Sequence, residues 1–244
     1  MKQTATRVGI DLYWLPLGAG GNFVRFNGSV YEAITATLAH RPRCDLYHSA
    51  LEVFVPEGRY VIEMTPVLDG HGSDRGVVGE GAVGARWAGH FRIFRYELRR
   101  WRDGVIPDID EAVESPRVIS TDDGDARRLL SLVPKVPMLV WGRDEARAGE
   151  MWNSNSMISW LLACTGLNVQ SVRPPNGGRA PGWDAGIAVA RRQGPKLPRP
   201  QRPLARPPAV SSSASHPNRR RPPSAATHPA EGLILYRAAL ITVS

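Results

Sequence analysis

Three polar residues stand where their chemistry could be used together. His48 opens an apolar, β-rich run, Tyr47-His-Ser-Ala-Leu-Glu-Val53. Glu63 lies in the next such run, Val61-Ile-Glu-Met64, after a Pro56-Glu-Gly58 turn. Ser154 sits in Trp152-Asn-Ser-Asn-Ser156, just before a periodic apolar stretch. An imidazole can take a proton from a hydroxyl, and a carboxylate beside the ring fixes its tautomer. A hydroxyl at a helix start gains a favourable field for a developing negative charge. Ser154 also has a structural reading: Ser and Asn cap helices by accepting bonds from first-turn N–H groups. Asn153, Asn155 and Tyr47 are the polar neighbours that could hold an oxyanion or substrate.

Other sites are weaker. Gly18-Ala-Gly-Gly21 follows an apolar run but lacks a Gly-Lys-Ser/Thr or full G-x-G-x-x-G pattern, so it reads as a turn. Asp69, His71 and Asp74 alternate in a DGHGSD loop. A calcium loop needs more carboxylates, and no metal or other cofactor is expected. Cys44 and Cys164 make neither a disulfide framework nor a zinc site and read as small apolar residues.

The elements that must position these residues follow from periodicity. Residues 9–15 (GIDLYWL) read as a buried strand. Residues 28–39 read as a helix, with Val30, Ile34 and Leu38 four apart. Residues 46–55 and 59–65 predict a hairpin, which would set Glu63 on the strand beside His48. Residues 69–84 are polar and Gly-rich and predict a loop, and 91–98 (FRIFRYEL) predict a third strand. Residues 101–120 read as irregular. A helix is expected over 122–132, with Asp122 or Asp123 as its cap. The clearest helix is 154–165, with Ile158, Leu161, Leu162 and Thr165 on one face and Gly166 as its stop. Residues 183–191 (WDAGIAVAR) predict a last strand.

Texture changes after Gln193. Ten of the 21 prolines fall between Pro195 and Pro229. Such a composition cannot bury enough apolar surface to offset chain entropy, so residues 194–231 read as a disordered tail, with 232–244 a short apolar end. Both a native tail and a change of reading frame give a switch of this kind. The tail also explains the charge. The chain carries +8, and seven basic residues with no Asp or Glu lie between Gly194 and His228, which leaves about +1 elsewhere. Arg219, Arg220 and Arg221 could touch phosphates nonspecifically, but no aromatic residue interleaves them to stack on bases. Residues 1–193 are expected to form one α+β domain. No run of about 18 apolar residues exists, so no membrane span is expected. The N-terminus lacks the pattern of a secretory signal, and the expected compartment is the cytoplasm.

Together these pieces resemble the circularly permuted papain-like superfamily, which includes NlpC-type peptidases, lecithin retinol acyltransferase-like enzymes and PPPDE-type peptidases. His48-Ser-Ala-Leu-Glu-Val53 is similar to its His strand, Val61-Ile-Glu63-Met64 to the following strand, and Asn153-Ser-Asn155 through Gly166-Leu167 to its nucleophile helix. The resemblance covers residues 44–168. It implies a small antiparallel sheet packed on the nucleophile helix. It also implies a hydrolase or acyltransferase acting on an amide, thioester or ester of a peptide, lipid or other acyl substrate. Ser154 would be nucleophile, His48 base and Glu63 the third polar residue. The family carries Cys at the Ser154 position, and a hydroxyl needs more help from its base than a thiol does. Cys164 lies about 15 Å further along the helix and does not replace it. A catalytically silent binding module on the same scaffold is the alternative.

Overall fold

The computed structural model describes residues 7–17, 44–67 and 75–194. The Gly18–Gly21 turn, the 28–39 helix, the Asp69/His71/Asp74 loop and the chain after Gly194 lie outside the described residues. All described residues belong to one compact unit, Met1–Arg199.

Six strands form an antiparallel sheet: β1 Gly9–Pro16, β2 Tyr47–Val55, β3 Gly58–Pro66, β4 Val77–Ala82, β5 Arg95–Arg102 and β6 Arg117–Ser120. Their spatial order is β4-β5-β3-β2-β1-β6. Three α-helices accompany them: α1 Asp123–Leu132, α2 Ser154–Thr165 and α3 Trp183–Gln193. The architecture is α+β, as expected. Among the described residues no helix is long and apolar enough to cross a membrane.

Side chains alternate across a strand, so each strand serves two faces. Ile10, Leu12, Trp14, Leu51, Val53, Ile62, Met64, Tyr96 and Leu98 meet the helices in the main core. Tyr13, Leu15, Ala50 and Val61 point the other way and pack under Ile106, with Ile109 and Ala112 beside it. The expected hairpin is β2–β3, in register from Leu51↔Ile62 to Val55↔Gly58. Its turn needs Gly58 at φ 147°, a conformation that side chains oppose.

Four expectations are corrected. Residues 183–191 are helix α3, not a strand. Their Ile-Ala-Val-Ala alternation mimics a strand, but buried Trp183, Gly186, Ile187 and Ala190 recur at three and four. The strand expected over 91–98 begins later, at Arg95, because 92–94 form a 3₁₀ turn. The loop expected over 69–84 contains β4, and the irregular stretch 101–120 contains β6. Both are edge strands of few residues, and β4 buries none of them, so neither shows strong alternation.

α1 starts as expected at an Asp122 cap, whose carboxylate accepts the Asp125 N–H at 2.8 Å. α2 is buried on every side, Ala163 excepted. A helix so enclosed is apolar or internally satisfied all round. It ends at Gly166, φ 93°. α3 packs against it at very close range: a Cβ on Gly186 would come within 2.0 Å of the Ser156 carbonyl oxygen.

Candidate functional site

The site begins with how α2 starts. Asn153, not Ser154, is the cap. Its side-chain oxygen accepts the Ser156 N–H at 3.2 Å, and Ser156 Oγ accepts the Asn153 N–H at 3.1 Å. This reciprocal pair satisfies two of the donors that a helix start leaves open. Asn153 Nδ2 donates to Pro181 O at 2.8 Å. Ser154 is therefore the first helical residue and is free of any capping duty. It is 5% exposed, and its hydroxyl has no hydrogen-bond partner among the described residues. Its backbone N–H and that of Asn155 are the first two of the helix, which find no acceptor within it.

Asn155 ties α2 to the sheet. Its Nδ2 donates to Tyr47 O at 2.9 Å and to Pro181 O at 3.0 Å, and its Oδ1 accepts from Ser49 Oγ at 2.9 Å. The tie falls at an interruption in the sheet. β3 pairs with β2 only from Leu51 onward. Earlier along the same edge of β2, Arg179 takes over: Tyr47 N donates to Arg179 O and Arg179 N to Asp45 O, each at 2.8 Å. Between those two pairings the Asn155 amide gives Tyr47 O the donor that a neighbouring strand would otherwise supply. α2 contacts both β2 and β3 there.

His48 stands at this interruption. Ser49 faces α2, so strand alternation directs His48 to the other face, with Ala50 and Glu52. The ring is half-buried and makes no hydrogen bond to a described residue. Burial pushes its pKa down to about 4, and the Asp108 charge acts weakly the other way. The imidazole is thus neutral at pH 7 and has a lone pair to accept a proton.

Glu63 is not brought to His48. Continued beyond Leu51, the hairpin register would place Glu63 opposite Ala50. The carboxylate accepts from Arg99 Nη1 at 2.9 Å, and Arg99 also bridges Glu97 at 2.8 Å. Burial raises the Glu63 pKa, with the Arg99 charge opposing. Asn153 and Asn155, expected near an oxyanion, spend their amide hydrogens on Pro181 and Tyr47. Tyr47 is a packing residue. Its ring lies against Gly178, where a Cβ would approach to 2.5 Å, and burial raises its phenol pKa.

Sequence reasoning missed Asp108. It is exposed and held at φ 57°, on a segment whose Ile106, Ile109 and Ala112 pack onto the His48 face of the sheet. It is the carboxylate whose field reaches the imidazole. An irregular Pro-Asp-Ile-Asp stretch carries no periodic signal that could have pointed to it. Residues 179–181, which receive β2 and both asparagines, were equally silent. Cys164 sits near the far end of α2 with its thiol pushed up to about 11 by burial, so it is a poor nucleophile. Neither Cys44 nor Cys164 is in a disulfide. Among the described residues no group of three His, Cys, Asp or Glu side chains could hold a metal.

No family model, no curated protein and no solved structure matches this chain.

Proposed function

We propose that the start of α2 is an acyl-transfer site, in a hydrolase or acyltransferase acting on an amide, thioester or ester. Ser154 attacks the carbonyl carbon, and its hydroxyl proton passes to His48 by way of water at the interruption beside β2, because strand alternation turns the ring to the sheet face away from α2. The proton then goes to the amine, thiol or alcohol that leaves as the acyl bond breaks. The N–H groups of Ser154 and Asn155 receive the oxyanion. The observation that supports this reading best is the Asn153 cap. It removes the ordinary structural reason for a Ser at this position, and it leaves a hydroxyl at the positive end of a helix next to the interruption where His48 stands. Glu63 has no part in this arrangement. Asp108 is the acid that could steady the ring.

The experiment is labelling with a serine-directed fluorophosphonate. The wild-type chain is expected to label, with Ser154→Ala abolishing the signal and His48→Gln reducing it by about two orders of magnitude, the usual worth of a general base. Equal labelling of wild type and Ser154→Ala would sink the proposal.

Three observations favour a second reading, a catalytically silent binding module. The carboxylate at the expected third position is committed to Arg99, His48 has no hydrogen-bonded orienter among the described residues, and its ring is turned to the sheet face away from α2. Ser154→Cys separates the two readings. Rapid alkylation by iodoacetamide that depends on His48 favours the enzyme, and a sluggish thiol favours the binding module.

A further inference from the structure

Six large apolar side chains stand well exposed among the described residues, and three of them fall within seven positions: Trp87, Phe91 and Ile93, at 70%, 58% and 76%. Trp87 and Ile93 lie on two successive 3₁₀ turns, Trp87–His90 and Arg92–Phe94, and Phe91 joins them, all between β4 and β5. The turns are held from behind by buried Ala88 and by Arg95 Nε, which donates to Gly89 O at 2.6 Å. Arginines are interspersed: Arg86, Arg92 and Arg95 all lie within residues 81–96, which also hold His90 and no Asp or Glu. Arg86 and Arg95 pair with Glu145 and Glu80. Arg92, between Phe91 and Ile93, has no acidic partner among the described residues.

We propose that the Trp87–Ile93 segment docks the protein on an anionic lipid surface. Trp87, Phe91 and Ile93 would enter the headgroup–acyl boundary, while Arg92 and His90 meet lipid phosphates. Aromatic residues prefer that boundary, and nearby cations add attraction to anionic lipids. The turns satisfy part of their own backbone donors, which eases a poorly hydrated position. Ala88 N–H bonds Ala85 O at 3.1 Å, Phe91 N–H bonds Ala88 O at 2.9 Å and Phe94 N–H bonds Phe91 O at 3.0 Å. Three protruding side chains cover far less than the roughly 800 Å² per partner of a stable protein interface. A protein partner or a second copy of the chain is therefore the poorer occupant. The proposal does not depend on the reading of Ser154.

The test uses the full chain with extruded vesicles, either phosphatidylcholine alone or containing about one-third phosphatidylserine. The variants are Trp87→Ser/Phe91→Ser/Ile93→Ser, Arg92→Glu, Trp87→Phe and Arg219→Gln/Arg220→Gln/Arg221→Gln. All the folded-unit substitutions are at exposed positions, so melting temperatures should stay near wild type. The wild-type chain is expected to sediment with the anionic vesicles. The triple Ser variant should bind about tenfold more weakly or worse, and Arg92→Glu should weaken binding at low salt. Brominated lipid should quench tryptophan emission in the wild type and much less in Trp87→Phe. The proposal is overturned if the triple Ser variant partitions like wild type while the tail variant does not, since the basic tail then carries the binding. It is also overturned if the wild type binds neither vesicle, or if the triple Ser change alters only the sedimentation coefficient, which would make the patch a contact between copies.

Discussion

Replacing His48 by Gln should change how stability depends on pH more than it changes stability at pH 7. The ring's pKa is lowered from 6.5 to about 4 by burial. At pH 7 the imidazole is neutral in both the folded and the unfolded chain, so its protonation contributes nothing to the difference. Below about 6.5 the unfolded chain takes up the proton and the folded chain does not. Stability therefore falls as pH falls, until the folded ring also titrates near 4. A shift of this size at about 1.4 kcal/mol per unit amounts to about 3 kcal/mol, nearer 2 once water at the ring's open edge is allowed for. Urea denaturation of wild type and His48→Gln at half-unit steps from pH 7 to 4 measures it directly. Carboxyls with raised pKa values, such as Glu63, Asp11 and Glu150, act in the opposite sense, but they are common to both proteins and cancel in the difference. Wild type should lose about 2–3 kcal/mol more than the variant over this range. A difference that stays flat within about 0.5 kcal/mol, or an imidazole NMR midpoint near 6.5, would refute the claim that this ring is held neutral by its surroundings.

Arg99→Met should be among the most damaging single changes. It leaves Glu63 and Glu97 buried without their shared cation, and a loss of about 3–5 kcal/mol in urea denaturation is expected. That loss should shrink in acid, as Glu63, whose carboxyl burial already pushes upward, takes up a proton. Gly186→Ala forces a Cβ against the Ser156 carbonyl and Ser159 Oγ, each about 2 Å away. Helix α3 must move, at a cost of about 3 kcal/mol read from the melting temperature. Because α3 lies against the first turns of α2, any Ser154 labelling should fall with it.

The sequence showed the β2–β3 hairpin and helix α2 because their signals are local. The hairpin has β-branched runs around a Gly turn, and α2 has polar residues, an apolar period and a stopping glycine within 14 residues. It misled at α3, where Ile187-Ala-Val189-Ala190 satisfies both periods over a few residues and only Trp183 and Gly186 tip the balance. The fate of Glu63 was beyond its reach. Spacing fixes which strand the carboxylate occupies, but not the competing Arg99, 36 positions away on β5. The role of Asn155 was hidden for the same reason. Its partners Tyr47 and Ser49 lie more than 100 positions away, and a sheet interruption leaves no mark in composition.

That interruption also sets an order of events. The Asn155 amide joins Tyr47, Ser49 and Pro181, three points with no short loop between the first two and the last. Such distant closures cost the most chain entropy and are rewarded only after local structure exists. The hairpin and α2 can each form early. The seam between them is expected to close after both. The hydroxyl of Ser154 therefore reaches its final surroundings only when this seam closes.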